Sequence, residues 1–255
     1  MRFFKLFILF SLFSAACSSP KETSEQTHLP AIEVSYIDIH DSVAQTDSLL
    51  ESYIAPYRDS LKAQMNRVIG ISKEVLTKNT PEGTLGNFVA DLSLSTAKKQ
   101  AEKYHLPSPD FCVMNNGGLR VALPKGEITV GKIFELMPFE NELVEVELPP
   151  QQMKELFNYI AEKNGVPVSG IRLTYQNKKL VKAEINNMPW DSTKTYLVCT
   201  SDYLASGGDH MSFFINQKQL NLNIKLRDTI IQHIEALHQK NKVIEPVLDK
   251  RIQFE

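Results

Sequence analysis

Two glycine-containing runs carry polar groups that could recognise a small ligand. The first is NNGGLR, which begins at Asn115 and ends at Arg120. Glycines let backbone N–H groups approach a ligand closely, and the planar guanidinium of Arg120 suits an oxygen anion or ribose hydroxyls. Taken alone, the run is more typical of a hairpin turn with a surface arginine.

The second run, SDYLASGGD at 201–209, places an aromatic ring shortly before a carboxylate. The carboxylate of Asp209 can accept two hydrogen bonds from a cis-diol, and Tyr203 offers a flat ring. For this run alone, the simpler interpretation is a turn in which Asp209 caps its own backbone.

Two further segments have weaker signals. The loop MPFEN at 137–141 contains Phe139 and Asn141. The Phe139 ring either fills space in the hydrophobic core, as a core plug, or serves as a platform on which a ligand stacks. In isolation the core plug is favoured. The segment TLGNF at 84–88 begins a helix, and helix N-termini can bind anions, although an ordinary helix start is the simpler explanation.

Hydrophobic periodicity predicts the elements that position these segments. Helical spacing predicts helices at 45–67, 84–104, 151–163 and 226–240 and a helical turn at 131–136. Pro56 is expected to kink or split the first helix. Alternating or wholly apolar runs predict strands at 31–39, 68–75, 110–114, 127–130, 143–148, 171–175, 180–185, 195–200 and 250–254. Because strands and helices are mixed without strict alternation, we expect an α+β fold.

The first 17 residues, MRFFKLFILFSLFSAAC, resemble a bacterial lipoprotein signal peptide. A basic start, a short apolar run and small residues precede Cys17. The apolar run is shorter than the roughly 20 residues that a membrane span needs. The resemblance implies export and a lipid anchor on Cys17, at the periplasmic or cell-surface side of a bacterial membrane, with residues 18–44 as a tether and short strand. A simple secretory signal is the alternative.

Composition narrows the class of partner. Hydrophobic residues make up 42% and charged residues 23%, which predicts an ordinary globular core. The net charge of −2 excludes an overall basic surface for nucleic acid. Cys112 and Cys199 lie in apolar β-rich runs, which favours two buried thiols, although they could pair if their strands are neighbours.

In this order, the four segments resemble the C-terminal domain of the 5′-nucleotidase and UDP-sugar hydrolase family. NNGGLR is similar to the family's NGGGIR, and SDYLASGGD is similar to its aromatic-L-A-N-G-G-D run. The resemblance implies a domain at 45–255 that begins with a linker helix.

The resemblance also implies a nucleotide site. In the family, two aromatic residues sandwich the base and the acid binds ribose hydroxyls. The Asn and Arg of the first run meet the nucleoside and phosphate, and the loop Asn lies beside the base. The matching substrate-binding residues are Asn115, Arg120, Phe139, Asn141, Tyr203 and Asp209. The turns that support them contain Asn116, Gly117, Gly118, Gly207 and Gly208.

The chain departs from the family pattern at two places. Many family members carry an arginine just upstream of the LGN segment, where this chain has Thr80, Pro81 and Glu82. One positive contact to a phosphate is therefore expected to be missing. His210 stands where the family has a small residue, which is either loop variation or a ligand contact near neutral pH.

Full-length family members hydrolyse phosphate esters with two metal ions held in a preceding domain. Here only about fifty residues precede the matching segment, roughly the minimum for a domain. None of the six histidines stands in a GNH or GDxH context. We therefore expect no catalytic residue, metal site or cofactor in this chain, and divalent metal ions in a separate metallophosphatase chain.

The expected function is nucleotide recognition within a 5′-nucleotidase-type phosphohydrolase that acts on extracytoplasmic nucleotides. This chain would bind base and ribose, and the metallophosphatase chain would complete the enzyme. The alternatives are a non-catalytic lipoprotein that binds nucleotides or nucleosides, and a membrane-anchored interaction module.

Overall fold

The structure of this chain is a computed structural model that describes residues 35–36, 47–245 and 247–255. The predicted signal segment 1–17, with its cysteine, lies outside the described residues, as does most of the predicted tether and strand at 18–44. Ser35 and Tyr36 are described and belong to no strand. From Ser48 onward the chain forms one compact unit.

Every element predicted between residues 45 and 254 is present, with differences of a few residues at the ends. The α-helices of the described chain are α1 (Ser48–Met65), α2 (Thr84–Tyr104), α3 (Val130–Leu136), α4 (Pro150–Glu162), α5 (Asp202–Ala205) and α6 (Leu226–Gln239). The strands are β1 (Val68–Ser72), β2 (Phe111–Val113), β3 (Gly126–Thr129), β4 (Glu142–Leu148), β5 (Val168–Ser169), β6 (Ile171–Gln176), β7 (Lys179–Ile185), β8 (Met188–Pro189), β9 (Tyr196–Ser201), β10 (Gln219–Lys225) and β11 (Ile252–Phe254).

The centre of the fold is a five-stranded sheet with the order β10-β4-β9-β2-β5. β9 pairs in parallel with β2 and antiparallel with β4. Because successive residues of a strand point to opposite faces, Val198 packs in one hydrophobic core and Cys199 in the other. The central strands β2 and β9 are therefore buried on both faces, which explains why β2 and the first four residues of β9 are continuous apolar runs.

Helices and smaller sheets cover both faces. On one side lie α4 and the four-stranded sheet β11-β6-β7-β8, with Phe157 and Tyr175 fully buried. On the other side lie α2, α6 and the β1–β3 pair, with Leu85, Ile128 and Ile230 fully buried. Burying a large apolar side chain contributes about 1.5–3 kcal/mol. This arrangement is the predicted α+β fold.

α1 differs from the other long helices because none of its residues is buried by the described part of the chain. The predicted apolar stripe is present, but Tyr53 and Tyr57 remain largely exposed. Pro56 was predicted to kink or split this helix, and the split is wrong, since α1 runs unbroken past it. Proline removes one hydrogen bond to the carbonyl of Ser52, and on an exposed helix water can bond that carbonyl instead. Among the described residues, no helix has the length and apolar character to cross a membrane.

The short strands β5 and β8 were not predicted, and neither were β10 and α5, which lie closer to the predicted site residues. β10 pairs with β4 as an edge strand. α5 is a single helical turn directly after β9, and its start is capped by Ser201, whose Oγ accepts from the Leu204 N–H at 3.3 Å. This turn places Tyr203 just beyond the end of the sheet.

Candidate functional site

Three strand ends meet at one edge of the five-stranded sheet. β2 and β9 are parallel, so their carboxyl ends lie side by side, and the antiparallel β4 has its amino end at the same edge. The NNGGLR run leaves β2, the SDYLASGGD run leaves β9, and the MPFEN loop enters β4. The strand pairing thus brings together segments that are distant in sequence.

A cavity of about 290 Å³ lies at this edge, close to the lower end of the range of about 300–1,000 Å³ for ligand sites. It is lined by Asn115, Gly117, Gly118, Arg120, Phe139, Asn141, Tyr203 and Asp209. All six predicted substrate-binding residues are therefore gathered around one space. Of the other predicted turn residues, Gly207 and Gly208 line an adjacent open groove, whereas Asn116 lines neither space.

Phe139 and Tyr203 keep their rings accessible. They are 39% and 46% exposed, respectively, so the interpretation of Phe139 as a core plug is wrong. The guanidinium carbon of Arg120 lies 5.9 Å from the centroid of the Phe139 ring, within cation–π distance. Two accessible rings on one cavity offer stacking faces to a planar ligand.

Hydrogen bonds fix Asp209 in the cavity wall. Its Oδ2 accepts from Nδ2 of Asn115, and its Oδ1 accepts from the Tyr203 hydroxyl at 3.2 Å. The Asp209 backbone N–H donates to the same hydroxyl oxygen at 3.2 Å. The carboxylate therefore bonds neighbouring side chains rather than capping its own turn.

Close contacts explain two of the glycines. A Cβ on Gly208 would lie 2.5 Å from Cζ of Tyr203, which is closer than atoms can approach. A Cβ on Gly117 would lie 3.2 Å from both Nδ2 of Asn115 and Oδ2 of Asp209. Glycine at these positions lets the ring and the carboxylate approach the backbone.

Arg227, on α6, holds the loop that carries Phe139. Its buried guanidinium donates to the backbone oxygens of Met137 at 3.4 Å and Phe139 at 3.2 Å, and it pairs with Glu140. Hydrogen bonds from Lys225 and then Arg227 lower the pKa of Glu140 to about 2. Arg227 was not predicted to act here, although its place on the apolar face of the last helix indicated a buried charge that needs partners.

The stretch that departs from the family pattern lies outside the cavity lining. Oε1 of Glu82 accepts from the Asp249 N–H at 2.9 Å, so this residue anchors the C-terminal segment. Nζ of Lys78 donates to the backbone oxygen of Leu119 at 3.0 Å. Lys78, which precedes this stretch by two residues, thus places a cation beside the NNGGLR run. The helix start at 84–88 also lies outside the lining.

Other residues that the sequence singled out do not line the cavity. His210 is exposed. Cys112 and Cys199 are register partners on β2 and β9, and both are buried free thiols. Burial raises the pKa of the Cys112 thiol. Within residues 35–36, 47–245 and 247–255, no group of three or more His, Cys, Asp or Glu residues could hold a metal ion.

Comparison with known proteins identifies relatives. The family model described as 5′-nucleotidase, C-terminal domain, matches residues 63–215, more than half of the chain. The chain is 30% identical over 179 residues to the trifunctional nucleotide phosphoesterase protein YfkN of Bacillus subtilis, covering 62% of this chain and 12% of that protein. It is 26% identical over 181 residues to a 5′-nucleotidase of Vibrio parahaemolyticus, covering 67% and 30% respectively.

A solved structure agrees with these matches. The 5′-nucleotidase precursor from Thermus thermophilus aligns with a TM-score of 0.66 and 25% identity, covering 84% of this chain and 44% of that one. The chain therefore spans less than half the length of each of these three relatives.

Proposed function

The chain belongs to the 5′-nucleotidase C-terminal domain family, and from that premise we propose that it binds the base and ribose of nucleotides. The observation that carries the proposal is the cavity at the sheet edge. Two accessible rings, a carboxylate and a guanidinium line the same space. Each of these groups matches one part of a nucleotide.

The two rings take the base. Phe139 and Tyr203 present π-faces, and base–aromatic stacking contributes about 1–3 kcal/mol per base. Asn141 lines the same cavity and offers an amide to the base edge. Stacking is available to every base, so most of the affinity in this scheme is independent of base identity.

The polar groups take the sugar end. Asp209 accepts hydrogen bonds from the ribose hydroxyls, and Asn115 orients its carboxylate through the bond to Oδ2. Arg120 faces the phosphate side, where a charge-assisted hydrogen bond is stronger than a neutral one.

Hydrolysis of the bound nucleotide to a nucleoside and phosphate is assigned to a separate metallophosphatase chain. The described residues do not fit a metal site, since they contain no suitable group of ligands. Two divalent ions held by the partner would supply the activated water and the charge stabilisation. The proposed setting is the extracytoplasmic side of a bacterial membrane, with a lipid anchor on Cys17.

Calorimetric titration with adenosine and AMP tests recognition directly. Phe139→Leu removes one ring and is expected to weaken binding by about tenfold. Tyr203→Leu removes the other ring together with the hydroxyl that bonds Asp209, and should weaken binding by at least as much. Tyr104→Leu is the control, because Tyr104 is 54% exposed and does not line the cavity. The proposal fails if the unmodified protein binds neither ligand, or if all three variants bind as tightly as it does.

A phosphatase assay with AMP and divalent metal tests whether this chain supplies recognition and a partner chain supplies hydrolysis. The domain alone is expected to release no phosphate, and it should accelerate a partner metallophosphatase chain. Asp209→Gly removes the carboxylate, tolerates the backbone conformation and should abolish the acceleration. Phosphate release by the domain alone would overturn the assignment to a partner. Nucleoside binding without acceleration would favour the non-catalytic binding lipoprotein.

A further inference from the structure

Tyr159 lies on α4, outside the cavity lining, and bonds the residue that carries the carboxylate. Its hydroxyl donates to the backbone oxygen of Asp209 at 2.9 Å. The residue is only 9% exposed, and its ring packs edge-on against Phe213 with the centroids 5.7 Å apart. Burial, and then the charge of Asp209, raise the pKa of Tyr159 to about 12. The hydroxyl is therefore a neutral donor at physiological pH.

Asp209 needs such a partner because of its backbone conformation. Its φ of 52° and ψ of 26° lie in the left-handed region, which aspartate adopts more readily than most residues when its side chain bonds the local backbone. The Asp209 carboxylate instead bonds the side chains of Asn115 and Tyr203. The Asp209 N–H donates to the Tyr203 hydroxyl oxygen, and its carbonyl accepts from Tyr159. Two phenol groups thus hold both backbone polar groups of this one residue.

We propose that Tyr159 is a positioning residue for ribose recognition. By bonding the Asp209 carbonyl, it holds that residue in the conformation that keeps its carboxylate on the cavity wall beside Asn115. The role rests on the proposed function, because it matters for binding only if Asp209 accepts the ribose hydroxyls. Without the Tyr159 hydroxyl, the Asp209 peptide can rotate out of the left-handed region and carry the carboxylate away.

Tyr175 provides a matched control. It is fully buried, and its hydroxyl donates to the backbone oxygen of Phe157 at 2.9 Å, the same distance as the Tyr159 bond. Tyr175→Phe therefore removes an equivalent hydrogen bond away from Asp209. Tyr159→Phe and Tyr175→Phe should both lower the melting temperature, whereas only Tyr159→Phe should change ligand binding.

Two ligands separate ribose recognition from base recognition. Adenosine carries the cis-diol, and 2′,3′-dideoxyadenosine lacks both hydroxyls. Tyr159→Phe is expected to weaken adenosine binding about five- to tenfold, the effect of roughly one hydrogen bond, and to leave dideoxyadenosine binding unchanged. In an Asp209→Gly background, Tyr159→Phe should cause no further loss, because two residues that act through one contact are not additive.

A measurement without ligand completes the test. The ¹³Cα and ¹³Cβ chemical shifts of Asp209 report its backbone conformation. They should leave their left-handed values in Tyr159→Phe and keep them in Tyr175→Phe. Unchanged shifts in Tyr159→Phe, or an equal loss of affinity for both ligands, would overturn the positioning role.

The outcomes also distinguish this role from the proposed function. If the unmodified protein binds neither nucleoside, the proposed function fails and the ribose role fails with it. If it prefers adenosine to dideoxyadenosine, and Tyr159→Phe keeps that preference, the proposed function stands and only the role of Tyr159 is overturned.

Discussion

Replacing Glu145 by glutamine is expected to stabilise the domain at neutral and alkaline pH. Glu145 lies on β4, directly opposite Cys199 of β9, and is 1% exposed. Its Oε1 is buried and has no hydrogen-bond partner among the described residues. Because a charge is unfavourable in such surroundings, burial raises the pKa of Glu145 from 4.5 to about 7.

Whether stability rises or falls with pH follows from the order of the pKa values that Glu145 has in the unfolded and the folded protein. The unfolded chain releases this proton near pH 4.5, and the folded protein keeps it until about pH 7. Unfolding therefore releases a proton in that window, and stability falls as the pH rises through it. A pKa that moves from 4.5 to about 7 corresponds to a loss of about 3 kcal/mol above the window, at 1.36 kcal/mol per pKa unit.

Urea unfolding from about pH 4 to about pH 8.5 measures this loss. The fluorescence of Trp190, which packs edge-on against Phe157, reports the transition. Glu145→Gln should match the unmodified protein at the acidic end and exceed its free energy of unfolding by about 2–3 kcal/mol at the alkaline end. Carboxyl groups with a lowered pKa, such as that of Asp249, contribute equally to the pH dependence of both proteins, so their effect cancels in the comparison.

Glu147→Gln is the control for the Glu145 experiment. Glu147 lies on the same strand, is partly exposed and pairs with Lys218 at the surface. Its replacement should change stability by less than about 0.5 kcal/mol at any pH. A Glu145→Gln variant that is no more stable than the unmodified protein at alkaline pH would contradict the raised pKa of Glu145.

Three further substitutions or treatments probe other parts of the domain. Arg227→Met keeps apolar volume but loses the hydrogen-bond donor to the Phe139 carbonyl. Adenosine affinity measured by calorimetry should therefore fall about fivefold. Unchanged affinity would contradict the role of α6 in holding that loop. Cys112 and Cys199 are fully buried free thiols and should react with iodoacetamide only after denaturation. An intact mass lower by two hydrogens would indicate a disulfide bond and would contradict this prediction. Arg251→Met removes the buried guanidinium that pairs with Asp91 of α2 and Asp249 of the C-terminal segment. The free energy of unfolding should fall by about 3 kcal/mol. A loss below about 1 kcal/mol would mean that these ion pairs contribute little.

The residues that line the cavity were predictable because four short runs, each ambiguous alone, follow one another in the order of the family pattern. Arg120 closes NNGGLR, and Asp209 follows a glycine pair. Their convergence was not predictable in the same way, because it depends on the parallel pairing of β2 with β9 and the antiparallel pairing of β4 with β9. Hydrophobic periodicity identifies strands but does not select their partners.

The supporting residues escaped prediction for a related reason. Tyr159 falls among inward-facing apolar residues of a predicted helix, and its function depends on one bond to a backbone oxygen far along the chain. β10 was missed although Leu220, Leu222 and Ile224 alternate with polar residues as in a strand, because asparagine is depleted in strands and the strand is fixed by its pairing with β4. Such features are determined by tertiary contacts, which a local pattern does not contain.

The register of β9 couples the two cores to the site. Val198 packs in one core and Cys199 in the other, and Ser201 pairs with Leu143 at the end of the sheet. A slip of one residue would exchange the two faces and move Tyr203 by about 3.3 Å relative to β4. Burial of apolar side chains, at about 1.5–3 kcal/mol per large side chain, stabilises this register. The same burial energy therefore determines the position of Tyr203 relative to the loop before β4.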